Sequence, residues 1–142
     1  MCGIVGLFIK DKSLEANLGR MLSEMLVTMT DRVPDSAGIA VYKEGLAGQV
    51  KITVQADNPT VNFAIMEKKL GSGVNIEVRD THAVLRLSQA NANNAMTELR
   101  EMGPAVRITG QGESIEIYKE VGLPDTVVSR FNIAAMAGTH GI

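Results

Sequence analysis

Met1-Cys2-Gly3-Ile4-Val5-Gly6-Leu7-Phe8 opens the chain, and the reading of this stretch decides the fold. Its glycines alternate with large apolar residues, as in a buried strand that tolerates close backbone approach. It also carries the only cysteine in 142 residues. A small residue at position 2 permits removal of Met1, which would leave Cys2 as the terminus with a thiol and a free α-amino group on one residue. The amine has an intrinsic pKa of about 7.7 to 8.0 and the thiol about 8.5, so a nucleophile would sit beside its own potential base. Cys2 is equally compatible with an inert small residue beginning a strand, and position alone does not choose.

Working outward, Lys10-Asp11-Lys12-Ser13 reads as a polar turn. Leu14, Leu18, Met21, Leu22, Met25, Leu26 and Met29 then fall at helical spacing and predict an amphipathic helix ending near Thr30, with a Met-rich packing face. Pro34 restricts Val33 to extended geometry, so Asp31 to Gly38 is a loop. Ile39 to Tyr42 and Val50 to Val54 read as buried strands. From residue 57 the texture changes. A helix over Val61 to Leu70, capped at Thr60 or Asn58 and stopped by Gly71, precedes half-buried strands around Val74 to Arg79 and His82 to Leu87. A further helix spans Asn91 to Met102, ended by Gly103 and Pro104. Strands at Ala105 to Thr109 and Ser114 to Tyr118 are expected to form a hairpin through Gly110-Gln111-Gly112-Glu113. Residues 57–120 therefore read as a small α+β insertion with solvated polar strand faces, within a single domain over 1–142. The tail reads as a short helix capped near Asp125, an apolar strand over Ala134 to Gly138, and a glycine-rich turn at Thr139-His140-Gly141-Ile142.

Composition narrows the function classes. An apolar fraction of 45% and a charged fraction of 21% are those of a globular protein with an adequate core. A net charge of -2 with interspersed signs gives no footprint for nucleic acid or an anionic membrane. The run Ile4 to Ile9 is too short for a bilayer span or a signal core, and one cysteine makes no internal disulfide, so the expected location is cytoplasmic. His82 and His140 lie 58 residues apart without ligand-spaced partners. No G-x-S-x-G, P-loop or dinucleotide fingerprint occurs, so no metal or cofactor is expected.

The opening stretch together with Asp31-Arg32-Val33-Pro34-Asp35-Ser36-Ala37-Gly38-Ile39 resembles the class II glutamine amidotransferases, N-terminal-nucleophile hydrolases whose mature chains begin Cys-Gly-Ile and continue to an Arg-Gly-x-Asp-Ser-x-Gly loop. The segment between that loop and Gly138-Thr139-His140-Gly141 is similar to the amidotransferase subunit of N-methylglutamate synthase and to glutamate-synthase-like proteins. The resemblance implies an α+β fold of layered sheet and helices, of which this chain corresponds to about the first half. It implies Cys2 as the nucleophile, with Gly3, Arg32, Asp35 and Ser36 supporting the substrate pocket. On charge grounds alone Arg32 is equally a surface ion-pair partner.

It further implies glutamine as substrate and a synthase subunit or domain that accepts the ammonia. Val33 stands where the family has glycine, and a β-branched residue there would require the loop to rearrange if that glycine has positive φ. The family's substrate-binding arginine, oxyanion Asn-Gly pair and substrate-binding aspartate have no matching positions in these 142 residues. A weak or inactive glutaminase is therefore expected of the isolated chain, since a single oxyanion donor is worth about a hundred- to a thousandfold in rate. The competing expectation is a non-catalytic interaction or assembly module whose exposed apolar edges are covered by self-association or a partner.

Overall fold

A computed structural model describes residues 3–32 and 35–142. The fold is α+β: helices pack on two four-stranded sheets. The chain divides into two compact units, Met1–Glu44 with Ile117–Ile142, and Gly45–Glu116. The sequence reading began its distinct segment at residue 57, whereas the compact unit begins at Gly45 and includes the strand Gln49–Ala56. Among the described residues, no helix is long and apolar enough to cross a membrane.

The first unit holds β1 (Leu7–Phe8), α1 (Leu18–Val27), β2 (Ser36–Tyr42), most of β7 (Ile115–Val121), α4 (Pro124–Arg130) and β8 (His140–Gly141). Asp11 accepts from the backbone and hydroxyl of Ser13, starting the 3-10 turn Lys12–Asn17 that leads into α1. Those two hydrogen bonds, backbone first, hold the Asp11 carboxyl below its ordinary pKa. The strand order is β1-β8-β2-β7. Its buried side is filled by Leu18 and Leu22 of α1, Ile39 and Val41 of β2, Tyr118, Val127, Phe131, Ile133 and Met136. The Tyr118 and Phe131 rings lie 5.4 Å apart at 34°. Gly19 is where this packing is tightest: a Cβ there would lie 2.0 Å from the Ile133 carbonyl oxygen. Only glycine lets the turn at Ile133–Ala135 approach α1 so closely.

Three expectations change here. Among its described residues, the opening stretch forms a two-residue edge strand, with Ile4 and Phe8 exposed and the following Ile9 buried, because β1 has one sheet neighbour and little to cover it. The helix begins at Leu18, not Leu14, the residues before it being wound into the tighter turn. Ala134 to Gly138 is not a strand. Asn132, in the left-handed region at φ 51°, launches a 3-10 turn there, and the strand is instead His140–Gly141, where a turn was expected.

The second unit contains β3 (Gln49–Ala56), α2 (Pro59–Leu70), β4 (Asn75–Arg79), β5 (His82–Ser88), α3 (Ala92–Glu101) and β6 (Val106–Gly112), in strand order β4-β5-β3-β6. Asn58 caps α2 by accepting from the Val61 N–H at 3.4 Å, Pro59 occupies the first turn and Gly71 ends the helix at φ 70°. Val50, Ile52, Val54 and Ala56 of β3 share a face with Ala83, Leu85 and Leu87 of β5, and on it pack Phe63, Met66, Ala95 and Leu99 of the helices. β6 pairs with β3 through Gly110, Gln111 and Gly112, with a bulge at Thr109, whose hydroxyl donates to the Thr53 carbonyl. The expected hairpin is therefore not formed: those glycines are ladder residues, and β7 lies beside β2 instead.

The other face of this sheet also departs from the sequence reading. His82, Thr53 and Lys51 are buried rather than solvated, as is Glu116 of β7. Lys51 and Arg86 stand directly opposite each other, a repulsive arrangement by itself. Glu116 resolves it, accepting from Lys51 Nζ at 2.9 Å and lying 3.5 Å from Arg86. Arg86 also pairs with Glu77 at 2.9 Å, and Arg79 pairs with Glu77. Partial burial alone would raise the Glu77 pKa, but the two arginines outweigh it and hold the carboxyl below its ordinary value.

Candidate functional site

Of the residues singled out from the sequence, Cys2 lies outside the described residues, as do Val33 and Pro34 of the loop. Gly3 is exposed ahead of β1. Arg32 is exposed at the end of a 3-10 turn, Thr30–Arg32, where its N–H donates to the Met29 carbonyl at 2.9 Å. Asp35 is exposed, and its carbonyl accepts from Gly122 N–H at 3.0 Å, tying the loop to the residue that follows β7. Ser36 is half-buried and begins β2.

Sheet register relates these pieces. β8 runs antiparallel to both β1 and β2, with Phe8 and Tyr42 each opposite His140, and Leu7 and Val41 each opposite Gly141. β1 and β2 are therefore parallel to each other and two strand positions apart, about 10 Å. Both enter the sheet from the same end, so the segment after Gly3 and the Asp35–Ser36 corner lead into the sheet at that end. They are not in direct strand contact, because β8 separates them.

The inserted β8 is the feature the sequence reading missed. The His140 ring stacks on Tyr42 with centroids 4.1 Å apart at 12°, and Phe8 lies 5.6 Å away on the other strand. Thr139 Oγ1 donates to the Tyr42 carbonyl at 3.3 Å and lies 3.0 Å from His140 Nδ1. The flanking glycines permit the insertion. A Cβ on Gly138 would lie 2.5 Å from the Tyr42 carbonyl oxygen, and one on Gly141 would lie 2.7 Å from Leu22 Cδ2. The available signal was the Gly-x-x-Gly spacing around Thr139-His140, which local reading takes for a turn.

Two grooves of about 490 and 500 Å³ indent the second unit. One is lined by Gln49, Ser72, Asn75, Arg86 and Ser88 among others, the other by Pro59, Phe63, Val78 and Asp80 among others. Neither includes Gly3, Arg32, Asp35 or Ser36, so depth does not make either the substrate site, and register and chemistry are the better guides. Among the described residues, no three His, Cys, Asp or Glu side chains group as metal ligands.

No family model matches the chain. Over 145 residues it is 50% identical to the glutamine amidotransferase-like protein GlxB of Rhizobium meliloti, an alignment covering 100% of this chain and 48% of that protein. Over 165 residues it is 27% identical to a Methanothermobacter thermautotrophicus protein that carries glutamine amidotransferase as a provisional name, covering 100% of this chain and 50% of the other. The chain thus spans about half the length of the curated relatives it matches. Both relatives carry glutamine amidotransferase in their names.

Proposed function

We propose that the chain is the nucleophile-bearing part of a class II glutamine amidotransferase, of the N-terminal-nucleophile type, that releases ammonia from glutamine for a partner synthase. The observation that carries this reading is the 50% identity to GlxB over 145 residues, 48% of that protein, combined with the Cys2-Gly3-Ile4 opening and the Arg32 to Gly38 loop. Parallel entry of β1 and β2 at one end of the sheet supports it, since both motifs lead into that end.

In the proposed reaction Met1 is removed, and the α-amino group of Cys2 takes the thiol proton directly or through one water. The thiolate adds to the side-chain amide carbon of glutamine. The C–N bond breaks, the departing nitrogen takes the proton and leaves as ammonia, and a γ-glutamyl thioester remains. Water then adds to the thioester carbon, giving its proton to the amine, and the C–S bond breaks to release glutamate and restore the thiol. Gly3, Arg32, Asp35 and Ser36 shape the pocket mouth, and the ammonia passes to the synthase.

Intact-mass analysis should show loss of Met1, and a glutamine-mimicking electrophile should label Cys2 alone, with glutamine blocking the label and Cys2→Ser abolishing it. Retention of Met1, or labelling that glutamine does not slow, would remove this reading.

A further inference from the structure

The groove of about 490 Å³ in the second unit lies where sheet register gathers polar side chains. Lys51 of β3 stands opposite Arg86 of β5, and Arg86 stands opposite Asn75 of β4. Gln49 pairs with Ser88 two positions along, so alternation puts both on that same face, away from the hydrophobic core of this unit. Same-face neighbours lie about 5 Å apart across strands and about 7 Å apart along them. Arg86, Asn75, Gln49 and Ser88 therefore meet at one end of the sheet. Ser72 and Gly73, in the turn before β4, line the groove as well. A Cβ on Gly73 would meet nothing nearer than the Asn91 side chain at 3.7 Å, so the space above it is open.

Charge decides what such a groove can hold. Among the described residues that line it, Arg86 is the one charged side chain and none is Asp or Glu. The Arg86 side chain is 29% exposed and is fixed by Glu77 at 2.9 Å and Glu116 at 3.5 Å. Those two carboxylates also serve Arg79 and Lys51, so three cations share two carboxylates and one positive charge is left over. The side chains of Gln49, Ser72, Asn75 and Ser88 have no hydrogen-bond partner among the described residues. Hydroxyl and amide donors thus surround a guanidinium that is already oriented, and an oriented group loses little freedom on binding. A carboxylate or phosphate oxygen is the partner such a guanidinium favours.

We propose that this groove binds a small organic anion that carries a carboxylate or a phosphate and lacks an ammonium group. Arg86 meets the anionic oxygens, and Asn75, Ser88 and Gln49 donate to them or to the rest of the molecule. An α-amino acid such as glutamine would bring a cation beside Arg86 with no acidic lining residue to receive it. The ligand is therefore distinct from the proposed substrate, and the proposal requires nothing of Cys2. The volume suits a molecule of metabolite size. The other groove, with Asp80 beside the apolar Phe63 and Val78, offers an anion no comparable partner.

The test titrates the 142-residue chain with inorganic phosphate, succinate and glutamine at low ionic strength, read by the amide NMR shifts of Gly73, Asn75 and Ser88. Phosphate, succinate or both should bind with a Kd of about 1 mM, more weakly as salt is raised, and glutamine should leave these three amides unshifted. Phosphate alone would assign a phosphate ester, and succinate alone a carboxylate. Arg86→Gln should weaken binding by about tenfold or more; Glu77 and Glu116 keep Arg79 and Lys51, so the fold should stand. Asn75→Asp with Ser88→Asp changes two exposed residues and leaves every ion pair in place. An acid beside Arg86 takes the place of the anion, so binding should fall as far. Thr60→Asp, exposed at the other groove, should leave binding unchanged. Three results would overturn the proposal: neither anion shifting those amides below about 50 mM; binding indifferent to the paired Asp substitutions; or glutamine shifting the same amides as strongly as succinate does.

Discussion

Removing the Glu116 carboxylate should destabilise the second unit more than any other single charge change in the chain. Its side chain is fully buried, 2.9 Å from Lys51 Nζ and 3.5 Å from the Arg86 guanidinium, while those two cations face each other across β3 and β5. At an effective dielectric constant of about 20 the two attractions are roughly 6 and 5 kcal/mol before desolvation, which cancels most of them. Truncation is costly for a different reason: it leaves Lys51, itself buried, without that partner and opposite a like charge. Glu116→Ala should therefore cost about 3 to 5 kcal/mol. Glu116→Leu combined with Lys51→Met should cost less than Glu116→Ala alone, because Arg86 keeps Glu77 at 2.9 Å and no buried charge of the pair is orphaned. Urea unfolding followed by far-UV circular dichroism gives the free energies, and hydrogen exchange of the β3 and β5 amides localises the loss. A Glu116→Ala cost under about 1 kcal/mol, or a double variant as costly as the two single changes added, would refute the account.

Gly19→Ala should unfold the first unit or cost at least about 3 kcal/mol, since its Cβ would lie 2.0 Å from one backbone oxygen and 2.6 Å from another; Gly38→Ala, meeting only ordinary contacts, should be tolerated in the same thermal melt. Asn58→Ala should cost about 1 kcal/mol through loss of the α2 cap, read by urea midpoint, with Asn58→Asp retaining most of it. The depressed pKa of Glu77 makes its contribution to stability fully present above its unfolded value of 4.5, and lost as pH falls through its lower folded value. Acid titration of stability should therefore steepen below about pH 4.5, and Glu77→Gln should flatten that stretch of the curve. No such flattening would mean that the arginine pairs are open in solution.

Within the second unit, local pattern was a good guide. Alternation picked out β5, with Ala83, Leu85 and Leu87 on the core side, and helical spacing picked out α3 with Ala92, Ala95 and Leu99. Gly71 and Gly103 marked helix ends, and of the two cap candidates Thr60 and Asn58 the structure uses Asn58, because capping and positive φ are satisfied within one turn. For the candidate site, the chemistry was legible only as a resemblance carried by Cys2 and the Arg32 to Gly38 loop. Structure adds where the strands beyond those motifs enter the sheet, and that Thr139 and His140 sit between them.

The sequence by itself determined the α+β class, most helices and strands, and the glycines that stop or turn them, since each depends on residues a few positions apart. Tertiary structure alone decided that β8, two residues long, would lie between β1 and β2, and that Gly19, Gly138 and Gly141 would serve close packing. It also decided that Lys51, His82 and Glu116 would be buried. Those outcomes rest on pairings such as Tyr42 with His140 and Lys51 with Glu116, and nothing in the periodicity of either segment names its distant partner.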